Sequence, residues 1–288
     1  MDKVREQVGF KGTLSEFLQF VATDPQFTPY KSQEEVLAGY RAIEARVMAT
    51  MPKYFGRLPR TKFEIRATEA FRAATAAHEY IAGSADGTRP GVFFVPVTDP
   101  TKYRTPRMEN LFLHEAIPGH HFQLSLALEN TNLPRFRRYD ANNAYVEGWA
   151  LYTESLGREL GIYADPYQYL GMLFGDMNRA IRLVVDTGMH AKGWTREQAM
   201  AFAAENSGGP AENQASAIER YMANPGQALG YKIGQLKIRE LRARGEQQLG
   251  AKFDLRAFHD EILSEGSLPL AVLEAHIRGW LDHAGEGK

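Results

Sequence analysis

The 288-residue chain has no cysteine, which excludes disulfides, thiolate metal sites and cysteine nucleophiles and leaves His, Asp and Glu as the strong metal-ligating side chains. Long hydrophobic runs are missing too. No apolar stretch is long enough to cross a bilayer, and the opening MDKVREQVGF lacks the apolar core of a secretory signal. As given, the chain is expected to be soluble. Neither charge sign is in surplus: 34 basic and 35 acidic residues give a formal net charge of -1, so nothing recruits nucleic acid or an anionic membrane. The expected partner is a peptide or other small amide substrate. Internal repeats and low-complexity linkers are also lacking, and the length slightly exceeds that of a single core, so 1–288 reads as one predominantly helical domain.

What is present is helical periodicity. Amphipathic patterns run near 13–23, 32–51, 105–129, 141–161, 165–191, 195–206, 210–223, 227–248, 254–264 and 268–282. Two stretches read as strands instead. KFEIRAT at 62–68 alternates, and GVFFVPV at 91–97 is β-rich and bounded by prolines. The expected fold is therefore mostly α with a small β-sheet, its two strands joined by a turn-rich loop around Gly83, Gly87 and Gly91.

Residues 111–128, LFLHEAIPGHHFQLSLAL, place three histidines and a glutamate in an otherwise apolar helix, where ionisable groups are costly unless paired or metal-bound. Zinc hydrolases commonly set two histidines one turn apart, with the glutamate after the first acting as general base on water. His114-Glu115 begins that pattern, but one turn later stands Pro118, which ligates nothing. Pro118-Gly119 predicts a kink that carries His120 towards His114. His121 competes for the role: in an unbroken helix it shares the face of His114, roughly 10 Å further along the axis. A third ligand is expected from a second helix, and ANNAYVEGWALYTESLG at 141–157 supplies Glu147 within an apolar pattern. Glu154, seven residues on, is the candidate to orient a ligand histidine.

The motifs HEAIPGHH, YVEGWALYTE, RLVVDTGMH and RYMANPGQALGYKIGQ, in that order, resemble the bacterial domain-of-unknown-function 885 family from about residue 54 to the C-terminus, leaving 1–53 as a helical lead-in. That family is similar to the glutamate-type zinc peptidases, with a zincin-like fold whose edge strand aligns a peptide beside the cleft. The resemblance implies zinc on His114, His120 and Glu147, general-base duty on Glu115, and hydrolysis of peptide bonds in small peptides. Family members are typically about twice as long and often carry an export signal, which leaves the localisation open.

Around this centre, the strand Gly91–Val97 offers backbone hydrogen bonds to an extended substrate, with Phe94 as a substrate-binding candidate. Asp186 and His190 stand one turn apart; His190 is a candidate for contact with substrate or transition state and Asp186 for its support. Tyr231 follows a Pro-Gly break and resembles the tyrosines that face the metal in related peptidases, where a phenol donates to an oxyanion. Tyr221 stands behind it, and Arg220 is a candidate for binding a substrate carboxylate. Two other readings use the same residues: a non-catalytic helical binding module with a structural or vestigial metal, and a metal-dependent hydrolase of non-peptide amides or esters.

Overall fold

The computed structural model describes residues 1–207 and 214–285. Fourteen helices among these residues surround a small sheet. The first four are α1 (Asp2–Gln7), α2 (Leu14–Thr23), α3 (Gln33–Met48) and α4 (Met51–Tyr54). Thr13 caps α2 by accepting from the Glu16 amide while Glu16 reaches back to the Thr13 amide, and Ser32 caps α3. Three strands follow: β1 (Phe63–Ala67), β2 (Glu79–Ile81) and β3 (Gly91–Val95).

The sheet order is β1-β3-β2, with β1 parallel and β2 antiparallel to β3. The strand expected at an edge is thus the central one. Every residue of β3 is buried, its backbone is paired with β1 throughout and with β2 from Val92 to Phe94, and it has no free edge to offer a substrate. Phe94 is 8% exposed, with the Arg72 guanidinium 4.9 Å above its ring, so it is a packing residue. Edge or centre cannot be read from a continuous apolar run, because β2 is only three residues long and escapes periodicity.

The expected helix 105–129 is two helices, α5 (Met108–Glu115) and α6 (His120–Glu129). Between them Ala116 and Gly119 leave helical geometry, with φ/ψ of -103/-101 and -76/-128. Only glycine fits at 119: a Cβ there would lie 1.9 Å from the His114 carbonyl oxygen and 2.4 Å from that of Leu113.

After the short α7 (Arg135–Tyr139) comes α8 (Asn143–Leu156), capped by Asn142. It closes the break in front of it. Thr153 Oγ1 donates to the Leu113 carbonyl and Trp149 Nε1 to the Pro118 carbonyl, both at 2.8 Å, satisfying acceptors that the interruption strands. Trp149 and Tyr145 are fully buried, and burial of such a ring contributes about 1.5–3 kcal/mol.

The remaining helices are α9 (Pro166–Lys192), α10 (Arg196–Ser207), α11 (Ala215–Ala223), α12 (Leu229–Leu249), α13 (Leu255–Ser264) and α14 (Leu270–Gly285). The start of the helix expected at 210–223 lies outside the described residues; Ala215–Ala223 is helical. Helix α12 packs closely along α8 because glycines face each other at the crossing: a Cβ on Gly234 would meet the Ala144 oxygen at 1.8 Å, and one on Gly148 the Gly234 Cα at 2.4 Å. This approach brings Tyr231 beside Glu147. The main core lies between α3, the sheet, α5, α6, α8 and α12–α14, and smaller clusters join α9 to α10 and α11, and α1 and α2 to α9. None of the described helices is long and apolar enough to cross a membrane.

Candidate metal centre

Six residues apart on an unbroken helix, His114 and His120 would sit about 9 Å apart along the axis and about 120° apart around it. The break reverses this. Their rings lie 4.8 Å apart, nearly perpendicular at 85°. Glu147 reaches the same point from α8, and one ligand atom from each of His114, His120 and Glu147 lies within 4.8 Å of the others.

Glu147 Oε2 stands 3.5 Å from Nε2 of each histidine. That is long for a hydrogen bond, and this oxygen is buried without a hydrogen-bond partner. Atoms about 2.0–2.2 Å from a tetrahedral zinc stand roughly 3.3–3.5 Å apart. The two imidazoles and the carboxylate therefore face a common point rather than one another, and the donor set of two nitrogens and an oxygen suits zinc.

Glu154 lies behind His114. Its Oε1 is 2.8 Å from His114 Nδ1 and 3.4 Å from Arg179 Nη2, and Asn110 donates to its Oε2 at 2.9 Å. A proton held on Nδ1 by this carboxylate leaves Nε2 free as a ligand. Burial works against the charge of Glu154, but Arg179 and His114 hold it below the usual carboxylate range. Burial likewise opposes charge on His114, while Glu147 and Glu154 push it up to about 9. Glu147 follows the same logic in reverse: desolvation is outweighed by the two histidines, which hold it far below its ordinary value.

Glu115 follows His114 directly, and burial raises its carboxyl against the lowering effect of His114 and His120. It lines a cavity of about 450 Å³ together with His114 and Tyr231. The Tyr231 ring is nearly parallel to that of His114 at 6.2 Å, and burial and the Glu147 charge raise the phenol so that it keeps its proton.

The other candidates fall elsewhere. His121 turns to the sheet: its Nδ1 bonds the Tyr80 hydroxyl at 2.8 Å, Phe63 lies 4.6 Å away, and burial lowers it to about 4. His190 is not among the cavity-lining residues; its Nε2 bonds the Tyr221 carbonyl at 3.1 Å and ties α9 to α11. Asp186 does not pair with it, accepting instead from the Gly226 amide at 3.1 and 3.2 Å. Tyr221 packs with Ile181, Val185 and Ile218 in the cluster beneath, whereas Arg220 does line the cavity.

Sequence reading passed over His78 and Tyr103, which also line the cavity. His78, Tyr40 and Tyr103 form a closed hydrogen-bonded triangle of 2.7, 2.8 and 3.3 Å, with His78 lowered by burial to about 3 and so neutral. His78 stands alone in TAAHEYI, with no patterned neighbour to mark it. Arg107 and Arg179 were missed as well, although Arg179 lies one turn before Arg182 on α9.

The comparisons agree with this architecture. The family model described as "Bacterial protein of unknown function (DUF885)" matches residues 1–277. The chain belongs to this family. The match takes in the first 53 residues, ahead of the motifs from which the resemblance was read. Among solved structures, the chain is similar to a "putative lipoprotein" from Colwellia psychrerythraea, at 40% identity and a TM-score of 0.92, covering 98% of this chain and 49% of that one. A protein of unknown function from Shewanella oneidensis, described in the same way, shares the fold at 24% identity and a TM-score of 0.77, covering 95% of this chain and 52% of its own. The chain thus spans about half the length of these structures. No curated protein matches it.

Proposed function

We propose that this DUF885 member is a zinc-dependent hydrolase of peptide bonds in small peptides. The observation that carries the reading is the Glu147 Oε2 atom, buried, unpartnered and equidistant from two histidine Nε2 atoms, one of which belongs to His114, which lines a cavity together with Glu115. Three protein ligands leave an open position, as in catalytic rather than structural sites. Zinc held there would supply Lewis acidity towards a carbonyl and a bound water.

The chain's own residues do the rest. Glu115, with its carboxyl raised by burial, takes a proton from the attacking water and passes it to the leaving amine nitrogen. Tyr231 donates its phenolic hydrogen to the oxygen on which charge develops, a contact of a few kcal/mol when preorganised. Glu154 holds His114 in the tautomer that presents Nε2. A zincin-like substrate edge, in this reading, belongs to β2, which is entered from the cavity-lining residues Ala77 and His78. An exported setting rests on the lipoprotein description of the two similar structures.

The test combines zinc stoichiometry by elemental analysis with hydrolysis of a peptide library by wild type and Glu115→Gln. About one zinc per chain, with hydrolysis lost in Glu115→Gln while zinc stays, supports the proposal. No zinc after reconstitution overturns it, and zinc without hydrolysis in either protein indicates a structural or vestigial site in a binding module.

A further inference from the structure

The cavity beside the metal-ligating group is strongly cationic in a chain of net charge -1. Lys102, Arg104, Arg107, Arg179, Arg182 and Arg220 line it, and Glu115 is the one acidic lining residue. Three of these cations have partners: Arg179 with Glu154, Lys102 with Asp99 at 3.2 Å, and Arg104 with the Val21 carbonyl.

Arg107, Arg182 and Arg220 take part in none of the ion pairs among the described residues. The Arg182 guanidinium stands over two rings, 4.8 Å from the centre of Tyr231 and 5.6 Å from that of Tyr221, and its buried Nε has no acceptor among the described residues. Among the described residues Arg220 donates to the Gln227 amide oxygen, at 3.4 Å. Arg107 opens into the cavity, where desolvation and the like charges of Arg179 and Arg182 hold its guanidinium below its ordinary value. Like charges crowded into a concave space repel one another, and an anion in that space relieves the repulsion. Guanidinium groups rather than ammonium groups suit a planar, two-oxygen anion, which they grip with paired hydrogen bonds.

Dimensions limit what that anion belongs to. Arg107 and His114 are seven residues apart at the two ends of α5, roughly 10 Å along its axis. An extended peptide advances about 3.3–3.6 Å per residue, so this length holds about three residues. A short substrate whose scissile bond sits by His114 and Glu115 thus brings its own chain end to the guanidinium groups.

We propose that Arg107, Arg182 and Arg220 form a subsite for the free C-terminal carboxylate of a short peptide, with the attacked bond within about three residues of that end. This rests on the peptide-hydrolysis reading, and makes the activity that of a carboxypeptidase or of an enzyme releasing a short C-terminal fragment. The reaction adds water across one amide bond, yielding a new carboxylate and a free amine, and needs no other reactant.

The experiment uses N-acetylated tetra-alanine as the free acid and as the C-terminal amide, with inorganic phosphate as a third probe. Hydrolysis is measured on the zinc-loaded wild type, and binding by calorimetry on Glu115→Gln, alone and combined with Arg107→Gln or with Arg220→Gln. The expected result is an advantage of about tenfold or more for the acid over the amide in both assays, as one charge-assisted contact supplies. In each arginine variant that ratio falls towards one, with an unchanged circular dichroism melt showing that the fold is intact.

Equal binding of acid and amide by Glu115→Gln overturns the subsite, whether or not hydrolysis occurs. Preferential binding of the acid without hydrolysis by the wild type upholds the subsite while the peptidase reading fails. Saturable phosphate binding with no preference for the acid assigns the arginines to a phosphate group and overturns the carboxylate proposal.

Discussion

Removing the carboxylate behind His114 is the sharpest probe of the candidate centre. Glu154 is 1% exposed and takes hydrogen bonds from His114 Nδ1 and Asn110 Nδ2, with Arg179 3.4 Å away. In Glu154→Gln the amide oxygen replaces Oε1, and Asn110 rotates to offer its Oδ1, which has no partner in the native protein, to the new amide group. The geometry survives and the charge is lost. Zinc affinity then falls by about tenfold, the lower end of what a ligand-orienting partner contributes, equivalent to about 1.4 kcal/mol. Glu154→Leu removes the acceptor as well, and zinc affinity falls by about a hundredfold. Both variants lose stability without metal, because Arg179, 7% exposed, is left without its acid, a loss of about 3 kcal/mol or more. Competition with a chromophoric zinc chelator gives the affinities, and urea titration of the zinc-free proteins gives the stabilities. A Glu154→Leu protein that folds and binds zinc within about twofold of wild type would refute the argument that Glu154 orients His114.

Gly119→Ala should abolish stoichiometric zinc binding, since a Cβ there meets the His114 and Leu113 carbonyls and drives His120 away; elemental analysis showing full zinc content would contradict this. His121→Asn should keep zinc and lose stability, because His121 bonds Tyr80 and packs on Phe63; loss of metal from a folded variant would return His121 to the ligand set. His259 is fully buried between the Tyr152 hydroxyl and the Tyr54 carbonyl, and burial lowers it to about 4. Its folded pKa lies below the unfolded value, so the unfolded chain takes up the proton first as pH falls. Stability is full above about pH 6.5 and declines by about 3 kcal/mol on the way down to pH 4. His259→Gln should flatten that decline in urea titrations across the same range, and an unchanged slope would exclude His259 as its source.

Much of the helical framework was legible because amphipathic periodicity is local: α8, α9, α12 and α13 lie within a few residues of their expected ranges. The short elements α1, α7 and β2 were not, since six residues or fewer span less than two helical turns and the three residues of β2 barely one alternation. The pairing of β3 on both sides was equally hidden, because a fully buried strand looks the same whether its neighbours number one or two.

At the candidate centre, residue chemistry was legible and spatial choice was not. Without cysteine, the metal-ligating residues had to be His, Asp or Glu, and Pro118-Gly119 announced an interrupted helix. Which histidine turns towards Glu147 depends on how the break is closed, and Trp149 and Thr153, more than thirty residues away, close it. Arg220 alone was singled out in the sequence for a substrate carboxylate; that Arg107, Arg182 and Arg220, from the residue before α5, from α9 and from α11, share one lining was decided by the tertiary structure, since no local pattern links them. By itself the sequence determined the helices and the side-chain types on their faces, since both follow from neighbours within a turn or two. Packing between distant segments alone decided which of those side chains share one space.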